Sequence, residues 1–524
     1  MLVADELDGL IAYEIGDKAI PSISYALFDA NGILEQRHVV RSGALGDNAL
    51  FRIGSISKTF AAVAALQLVE AGQLDLDADI ARYLPGFAPI DPWHGGPVTL
   101  RKLLGHRAGL TREAAAGHYL DDRAVPLAET VAGLGRSTLK APGDGSSYFY
   151  SNAGYAVVGA AVEAAAGRPY AEHLQAAIFA PLGLADTGIA LTPEIRARLA
   201  PALMWTADAD FPAPVFDLGG AAAGNIVASL SDVARWGRML LRGDEGLVSP
   251  AALAAMWTPG GADPAKGYGL GFAVDHLDGR RTVGHGGVVY GYASSMLLLP
   301  DAGLGVVMLS TLDFTNELIG RLARRALRLA LAGRGERPRP RPARRLPPPG
   351  VTLAAELAGT YRAEDGRLLE LRASGLRLTL VDAGVPIEIR PIGQGRFVLD
   401  GRIFGEETTH PAPLLEVLGT TLGWQGARWQ RVDGPVAEPI PAEFAVHLGT
   451  YGPAFMPVDL QWSGGGLLCL LEYFAPHRCE PLGDSRFLLH GGLYEREILE
   501  LGLLDAEGRP AIRVGEMLLG KRVP

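Results

Sequence analysis

Apolar residues near the start of the chain recur at Leu7, Leu10 and Ile11, three and four positions apart, and this spacing predicts an amphipathic helix. The pattern then changes. Ile23 to Phe28 reads as a strand, Asn31-Gly32 as a tight turn and the residues after it as a second strand, so a hairpin follows the helix. Far downstream, Arg281 to Val283, Ser294 to Leu299 and Leu304 to Leu309 read as three more antiparallel strands, followed by a long helix from Thr315 to Ala332. Strands from both ends of this segment are expected to share one sheet flanked by the terminal helices, with the helical middle, residues 55 to 260, forming a second lobe. This α/β (α+β) unit is expected to span residues 1–332.

The periodic pattern stops at residues 333–350, where Arg and Pro alternate from Arg337 to Pro342 and the stretch ends in Pro347-Pro348-Pro349. Repeated proline forbids both helix and sheet ladders, so this segment reads as an extended, solvated linker, with a docking site for an acidic partner as the alternative for its basic run. Beyond it the chain repeats itself with a period of 90 residues: Gly359-Thr360-Tyr361 returns as Gly449-Thr450-Tyr451, and Pro391-Ile392-Gly393 as Pro481-Leu482-Gly483. Arg396-Phe397-Val398-Leu399 likewise returns as Arg486-Phe487-Leu488-Leu489, and Arg431-Val432 is matched near the end by Arg522-Val523. Both copies consist of short runs of Leu, Val, Ile and aromatics separated by Gly, Asp and Ser, which predicts two homologous small antiparallel β-barrels, residues 351–435 and 441–524.

Composition narrows the function classes. A chain of 524 residues is too long for one ordinary core, and 48% hydrophobic with 20% charged residues suits a soluble globular protein. The net charge of −10 gives no electrostatic reason to bind nucleic acid or an anionic membrane. No stretch approaches the apolar length of a membrane span, and the acidic Asp5, Glu6 and Asp8 stand where a signal peptide would be basic, so a cytoplasmic protein is expected. The two cysteines, Cys469 and Cys479, exclude a disulfide scaffold or a thiolate metal cluster; they flank an expected hairpin tip near Phe474, where a cross-strand pair is geometrically open, and buried free thiols are the favoured reading. The histidines form no H-x-H or H-x-x-x-H pair, so no metal and no cofactor is expected. Oligomeric state is left open, a homodimer being one option.

Three stretches carry chemistry. Phe51 to Lys58 leads into a helix whose apolar positions include Phe60, Val63, Leu66 and Val69. Residues three apart share a helix face, so the Ser55 hydroxyl and the Lys58 ammonium are neighbours at its first turn. A serine is a weak nucleophile until an adjacent group takes its proton, and a helix N-terminus aims N–H groups at developing negative charge. The same residues in isolation would read as an N-cap and a surface lysine. The second stretch is Tyr150-Ser151-Asn152 ahead of an Ala-rich helix: a tyrosine beside an ammonium can act as a general base, and an asparagine amide can hold the lysine and a substrate carbonyl. The third is Gly284-His285-Gly286-Gly287-Val288, where strand glycines mark close approach to the backbone, as by a substrate lying along the edge.

In this order, S-x-x-K, Y-x-N and H-x-G, the chain resembles the serine hydrolases that include class C β-lactamases, penicillin-recognising D-peptidases and esterases, and D-aminopeptidases. The stretches Leu103 to Leu110, Ala223 to Ser229 with Asp232, and Gly267 to Gly271 fit the same family, and the resemblance covers residues 20 to 330. It implies Ser55 as nucleophile, Lys58 and Tyr150 as the proton-handling pair, Asn152 as a positioning amide, His285 at the third motif, and the Ser55 and Val288 N–H groups as oxyanion hole, with Gly287 in the substrate strand. The β-lactamases carry Lys at the position of His285, whereas D-aminopeptidases and many esterases carry His. The two barrels resemble the three-domain layout of D-aminopeptidases, whose third domain reaches over the site. That layout makes Glu472 and Glu480, on the hairpin from Leu471 to Glu480, candidates to hold a substrate ammonium.

The expected activity is hydrolysis of small amides or peptides through an acyl-enzyme, D-aminopeptidase-like. A carboxylesterase of the same fold is the alternative, and a non-catalytic penicillin-binding-like receptor the alternative from another class. Gly515 to Arg522 imitates a P-loop, but Arg522 replaces the Ser or Thr and no helix follows. The G-x-S-x-G elbow of ordinary α/β-hydrolases does not occur.

Overall fold

The computed structural model describes residues 2–205, 210–243, 246–263, 265–342, 345–382, 384–399, 414–433, 439–472 and 475–522. The chain divides into two compact units, the first Met1–Trp205 with Asp210–Arg341, the second containing Pro342–Pro524. Val523 of the repeat, and Tyr473 and Phe474 at the expected hairpin tip, lie outside the described residues.

In the first unit the helix Leu2–Lys18 buries Leu7, Ile11 and Ile15, one per turn, and leads into the hairpin of strands Ser22–Asp29 and Ile33–Val40. The Asp29 carboxylate closes that hairpin by accepting from the N–H groups of Asn31 at 2.8 Å and Gly32 at 3.0 Å. The hairpin joins a seven-stranded antiparallel sheet with Leu304–Ser310, Tyr292–Leu299, Arg280–Val289, Ala273–Leu277 and Gly267–Tyr268, in that spatial order. Early and late strands therefore meet inside the sheet, where Tyr25 faces Met308. Each side of the sheet carries its own core. Leu7, Ile11, Leu318, Leu322 and Leu327 of the terminal helices, Leu2–Lys18 and Asn316–Gly333, pack one face. Phe28, Trp236, Met296 and Val307 join the other face to the helices of the middle segment.

The basic segment after residue 333 is not a free spacer up to residue 341. Arg339 pairs with Glu6, Arg337 with Asp278, and Arg325 donates to the Arg341 carbonyl, because acidic side chains of the first unit meet alternate arginines. Farther on, the buried Arg390 donates to the Leu346 carbonyl at 3.0 Å within the second unit.

The second unit holds a closed eight-stranded barrel, Gly359–Ala363 to Ala427–Val432, and a second eight-stranded sheet, Gly449–Tyr451 to Met517–Gly520. The second sheet comes close to closing, through hydrogen bonds from Gly452 N to Gly520 O at 2.9 Å and from Arg522 N to Thr450 O at 2.8 Å. The sequence repeat is a repeat of contacts as well. Both copies bulge at Pro-x-Gly, Pro391/Gly393 and Pro481/Gly483. Both tie a buried tyrosine to a main-chain carbonyl four residues back, at or just after the short helix before the first strand: Tyr361 Oη donates to Leu357 O at 2.8 Å and Tyr451 Oη to His447 O at 2.6 Å. Both free cysteines lie in the second sheet, Cys469 buried and Cys479 half-buried, and burial pushes the Cys479 thiol up to about 12.

Among the described residues no helix is long and apolar enough to cross a membrane.

Candidate functional site

The first motif is built where three elements converge. Ser55 sits in a 3-10 turn, Gly54–Ile56, immediately before the helix Ser57–Glu70, so it precedes the α-helix rather than occupying its first turn. The turn is forced by contact: Gly54 has φ +51°, and a Cβ there would lie 2.8 Å from Val288 N. The same crowding acts from the other side, where a Cβ on Gly287 would lie 2.2 Å from Ile53 O and 2.8 Å from Ser55 N. The glycines of the third motif thus let strand Arg280–Val289 press against the turn carrying the serine. Below it the helix is locked by the Trp236 indole, which stacks on Phe60 at 3.9 Å and donates to Thr59 Oγ1 at 3.0 Å.

Ser55 is half-buried among buried neighbours. Its Oγ receives two contacts, Lys58 Nζ at 3.0 Å and Tyr150 Oη at 2.9 Å. Lys58 is fully buried and also donates to Asn152 Oδ1 at 2.8 Å and to the Ala223 carbonyl at 2.8 Å. Three acceptors match the three hydrogens of an ammonium, while burial holds the Lys58 pKa below the usual lysine range and Tyr150 pulls the other way. The structure therefore brings together Ser55, Lys58, Tyr150 and Asn152.

Asn152 opens the helix Asn152–Ala166, capped by the Ser151 hydroxyl, which accepts from Gly154 N at 2.7 Å. The Arg112 carbonyl accepts from Asn152 N at 2.9 Å and Ala153 N at 3.1 Å, which ties the loop after Gly109 to this helix. That tie delivers two residues the motifs did not indicate. Glu113, buried, accepts from Asn152 Nδ2 at 2.6 Å, and the Arg112 guanidinium lies 5.2 Å from the centroid of the Tyr150 ring. His106 is a third: its Nδ1 accepts from Ser151 N at 3.0 Å and its ring lies 4.1 Å from that of Tyr150. Burial holds His106 well below the usual histidine range, so it packs as a neutral ring. The stretch Leu103 to Leu110 held the signal for His106, whereas nothing local marks Glu113.

His285 does not reach Ser55. Its Nδ1 faces the Gly286 carbonyl, which can only accept, so Nδ1 carries the hydrogen and Nε2 accepts from Tyr268 Oη at 2.8 Å. Burial first, and the Lys58 charge second, bring His285 down to about 3, so His285 is a neutral imidazole.

The loop candidates behave differently from the expectation. Glu472 is only 2% exposed and accepts from the buried Tyr494 hydroxyl at 2.8 Å, so its carboxylate is used inside the second unit. Glu480 is exposed and pairs with His490 on the sheet surface. Its place on the hairpin did not reveal that Glu472, at φ +53°, is buried.

The sheet, the helical lobe and the serine with its lysine and tyrosine define a serine hydrolase of the β-lactamase and penicillin-binding-protein class. The chain belongs to the beta-lactamase family, whose model matches residues 7–331. It is 30% identical over 366 residues to penicillin-binding protein 4 of Amycolatopsis lactamdurans, covering 64% of this chain and 90% of that protein. It is 36% identical over 162 residues to the esterase EstB of Burkholderia gladioli, a match covering 28% of this chain and 41% of EstB. Its fold is shared with the D-amino acid amidase of Ochrobactrum anthropi SV3 complexed with L-phenylalanine amide, with a TM-score of 0.54, 23% identity, and 63% of this chain and 99% of that one covered.

Proposed function

We propose that this chain hydrolyses small amides or short peptides through an acyl-enzyme on Ser55, in the manner of a D-aminopeptidase or D-amino acid amidase. The observation that carries the reading is the double contact on one oxygen, Lys58 Nζ at 3.0 Å and Tyr150 Oη at 2.9 Å from Ser55 Oγ. In its reactive form Tyr150 has released its phenolic proton to solvent and stands as a phenolate whose charge the Lys58 ammonium balances; this oxygen takes the Ser55 proton as Oγ bonds to the substrate carbonyl carbon. The N–H groups of Ser55 and Val288, carried on segments in close contact at Gly54 and Gly287, hold the developing oxyanion. Tyr150 then returns the proton to the leaving amine, whose bond to the carbonyl carbon breaks. Water, activated by the same pair, cleaves the acyl ester and restores the Ser55 hydroxyl.

The shared fold of the D-amino acid amidase supports an amide substrate, and the similarity to EstB supports the second reading, a carboxylesterase. A neutral His285 favours both over a β-lactamase, since an uncharged group offers no ion pair to a substrate carboxylate. The test is a comparison of matched D- and L-aminoacyl p-nitroanilides with a short-chain p-nitrophenyl ester, together with mass spectrometry after treatment with a serine-directed phosphonate. A phosphonate adduct on Ser55, and turnover abolished by Ser55→Ala, are expected. An intact Ser55 with no turnover would instead indicate a recognition protein.

A further inference from the structure

The geometry points to Glu113 as a positioning residue that fixes which way round the Asn152 amide stands between it and Lys58. This inference rests on the reading of Ser55, Lys58 and Tyr150 as the reacting group.

An asparagine amide presents an acceptor on one side and donors on the other, and the two orientations differ by a simple flip. Lys58 offers only hydrogens, so Asn152 is useful to it only with Oδ1 forward, as found at 2.8 Å. The opposite side must then face a group that accepts. Glu113 Oε1 does so at 2.6 Å, a charge-assisted contact that a flipped amide would turn into two oxygens facing one another. Glu113 is itself held: Oε2 accepts from Tyr119 N at 3.2 Å, Arg112 Nε lies 3.9 Å from Oε1, and the side chain is buried. The loop that carries it is anchored to the helix of Asn152 through the Arg112 carbonyl. Glu113 therefore acts through Asn152 and not on the substrate. Its negative charge also bears on Lys58, which faces the phenols of Tyr150 and Tyr155, the guanidinium of Arg112, and the neutral rings of His106 and His285.

Kinetics of Glu113→Gln, Glu113→Ala, Asn152→Ala and the Glu113→Ala/Asn152→Ala double variant on one ester and one aminoacyl amide test this. Glu113→Gln keeps an acceptor for Tyr119 N but lets the amide pair settle either way round. The expectation is a fall in kcat of about tenfold or more with KM within about threefold. The acid limb of the kcat/KM profile should move to lower pH, because a negative charge that favours the protonated Lys58–Tyr150 pair is gone. The double variant should lie within about twofold of Asn152→Ala alone. An unchanged kcat in Glu113→Gln, losses that multiply in the double variant, or a rise in KM confined to aminoacyl amides would each overturn the assignment. Activity surviving in Ser55→Ala would instead overturn the underlying site reading, which keeps the two failures apart.

Discussion

The Lys58 ammonium lies 4.9 Å from the centroid of the Tyr150 ring, and the two side chains end on the same atom, the Ser55 Oγ. Two groups converging on one hydroxyl, with a cation against the ring that takes up negative charge, are expected to act as a unit. Tyr150→Phe and Lys58→Ala should each lower kcat by about two to four orders of magnitude, and the double variant should be little worse than either. Losses that multiply across the pair would mean that the two residues serve separate steps.

His285 controls part of the pH dependence of stability. It titrates near pH 6.5 in the unfolded chain and at about 3 in the folded one, since burial excludes its charged form. Between these values the unfolded state binds the proton and the folded state does not. Its contribution to stability is therefore present in full above pH 6.5 and is lost as pH falls towards 3, with a slope of about 1.4 kcal/mol per pH unit. Urea unfolding of His285→Gln between pH 7 and pH 4.5 should show a pH dependence flatter by that slope. His118, brought down to about 4 by burial, acts in the same direction in both proteins and cancels in the comparison. Parallel curves for parent and variant would mean that His285 takes up its proton over the same pH range in the fold as in the unfolded chain.

Neighbouring glycines of the third motif should differ sharply. A Cβ on Gly287 would meet Ile53 O at 2.2 Å and Ser294 Oγ at 2.5 Å, whereas one on Gly286 would find Ser294 O at an ordinary 3.6 Å. Gly287→Ala is expected to cost about 1–3 kcal/mol and to reduce turnover by displacing the turn of Ser55, while Gly286→Ala should change stability by under about 0.5 kcal/mol. Thermal melts of the two variants decide the matter, and equal costs would count against the close approach of strand and turn.

The duplicated contacts of the second unit make a matched pair of predictions. Tyr361 and Tyr451 are both buried and both donate to a main-chain carbonyl four residues back. Tyr361→Phe and Tyr451→Phe should each cost about 1 kcal/mol, the net value of one such hydrogen bond. Urea midpoints followed by tryptophan fluorescence measure this, and a cost at one site alone would show that the copies have diverged in how they hold their first strand.

What could be read from the chain follows how local each constraint is. Ser55 and Lys58 are three residues apart, so turn geometry alone made them neighbours, and the hairpin at Asn31-Gly32 was equally local. The barrels were legible because a duplication preserves special positions, the bulge at Pro391/Gly393 and its partner at Pro481/Gly483. Glu113 was not legible. Its role depends on a carbonyl, that of Arg112, capping a helix that begins some 40 residues later, and no periodicity encodes that. The Pro/Arg segment looked free for the same reason, since Glu6 and Asp278, which hold Arg339 and Arg337, are far away in sequence.

Glu472 gives the last prediction, because sequence and structure assign it different work. As a loop carboxylate it would hold a substrate ammonium, and Glu472→Gln would then weaken free-amine substrates while sparing esters. In the fold its carboxylate accepts from Tyr494 Oη at 2.8 Å, with both side chains buried, so the substitution removes a charge from an internal hydrogen bond and leaves a neutral acceptor in its place. A loss of about 1–1.5 kcal/mol is expected, the difference between a hydrogen bond to a charged acceptor and one to a neutral acceptor. Turnover of aminoacyl amides and of esters should fall in the same proportion. Glu480→Gln is the control: its side chain is 59% exposed and paired with a 43% exposed His490, so it should cost less than about 1 kcal/mol and leave both activities in place. A loss in Glu472→Gln confined to free-amine substrates, with the melting temperature unchanged, would return that carboxylate to the substrate and mean that the bond to Tyr494 opens during turnover.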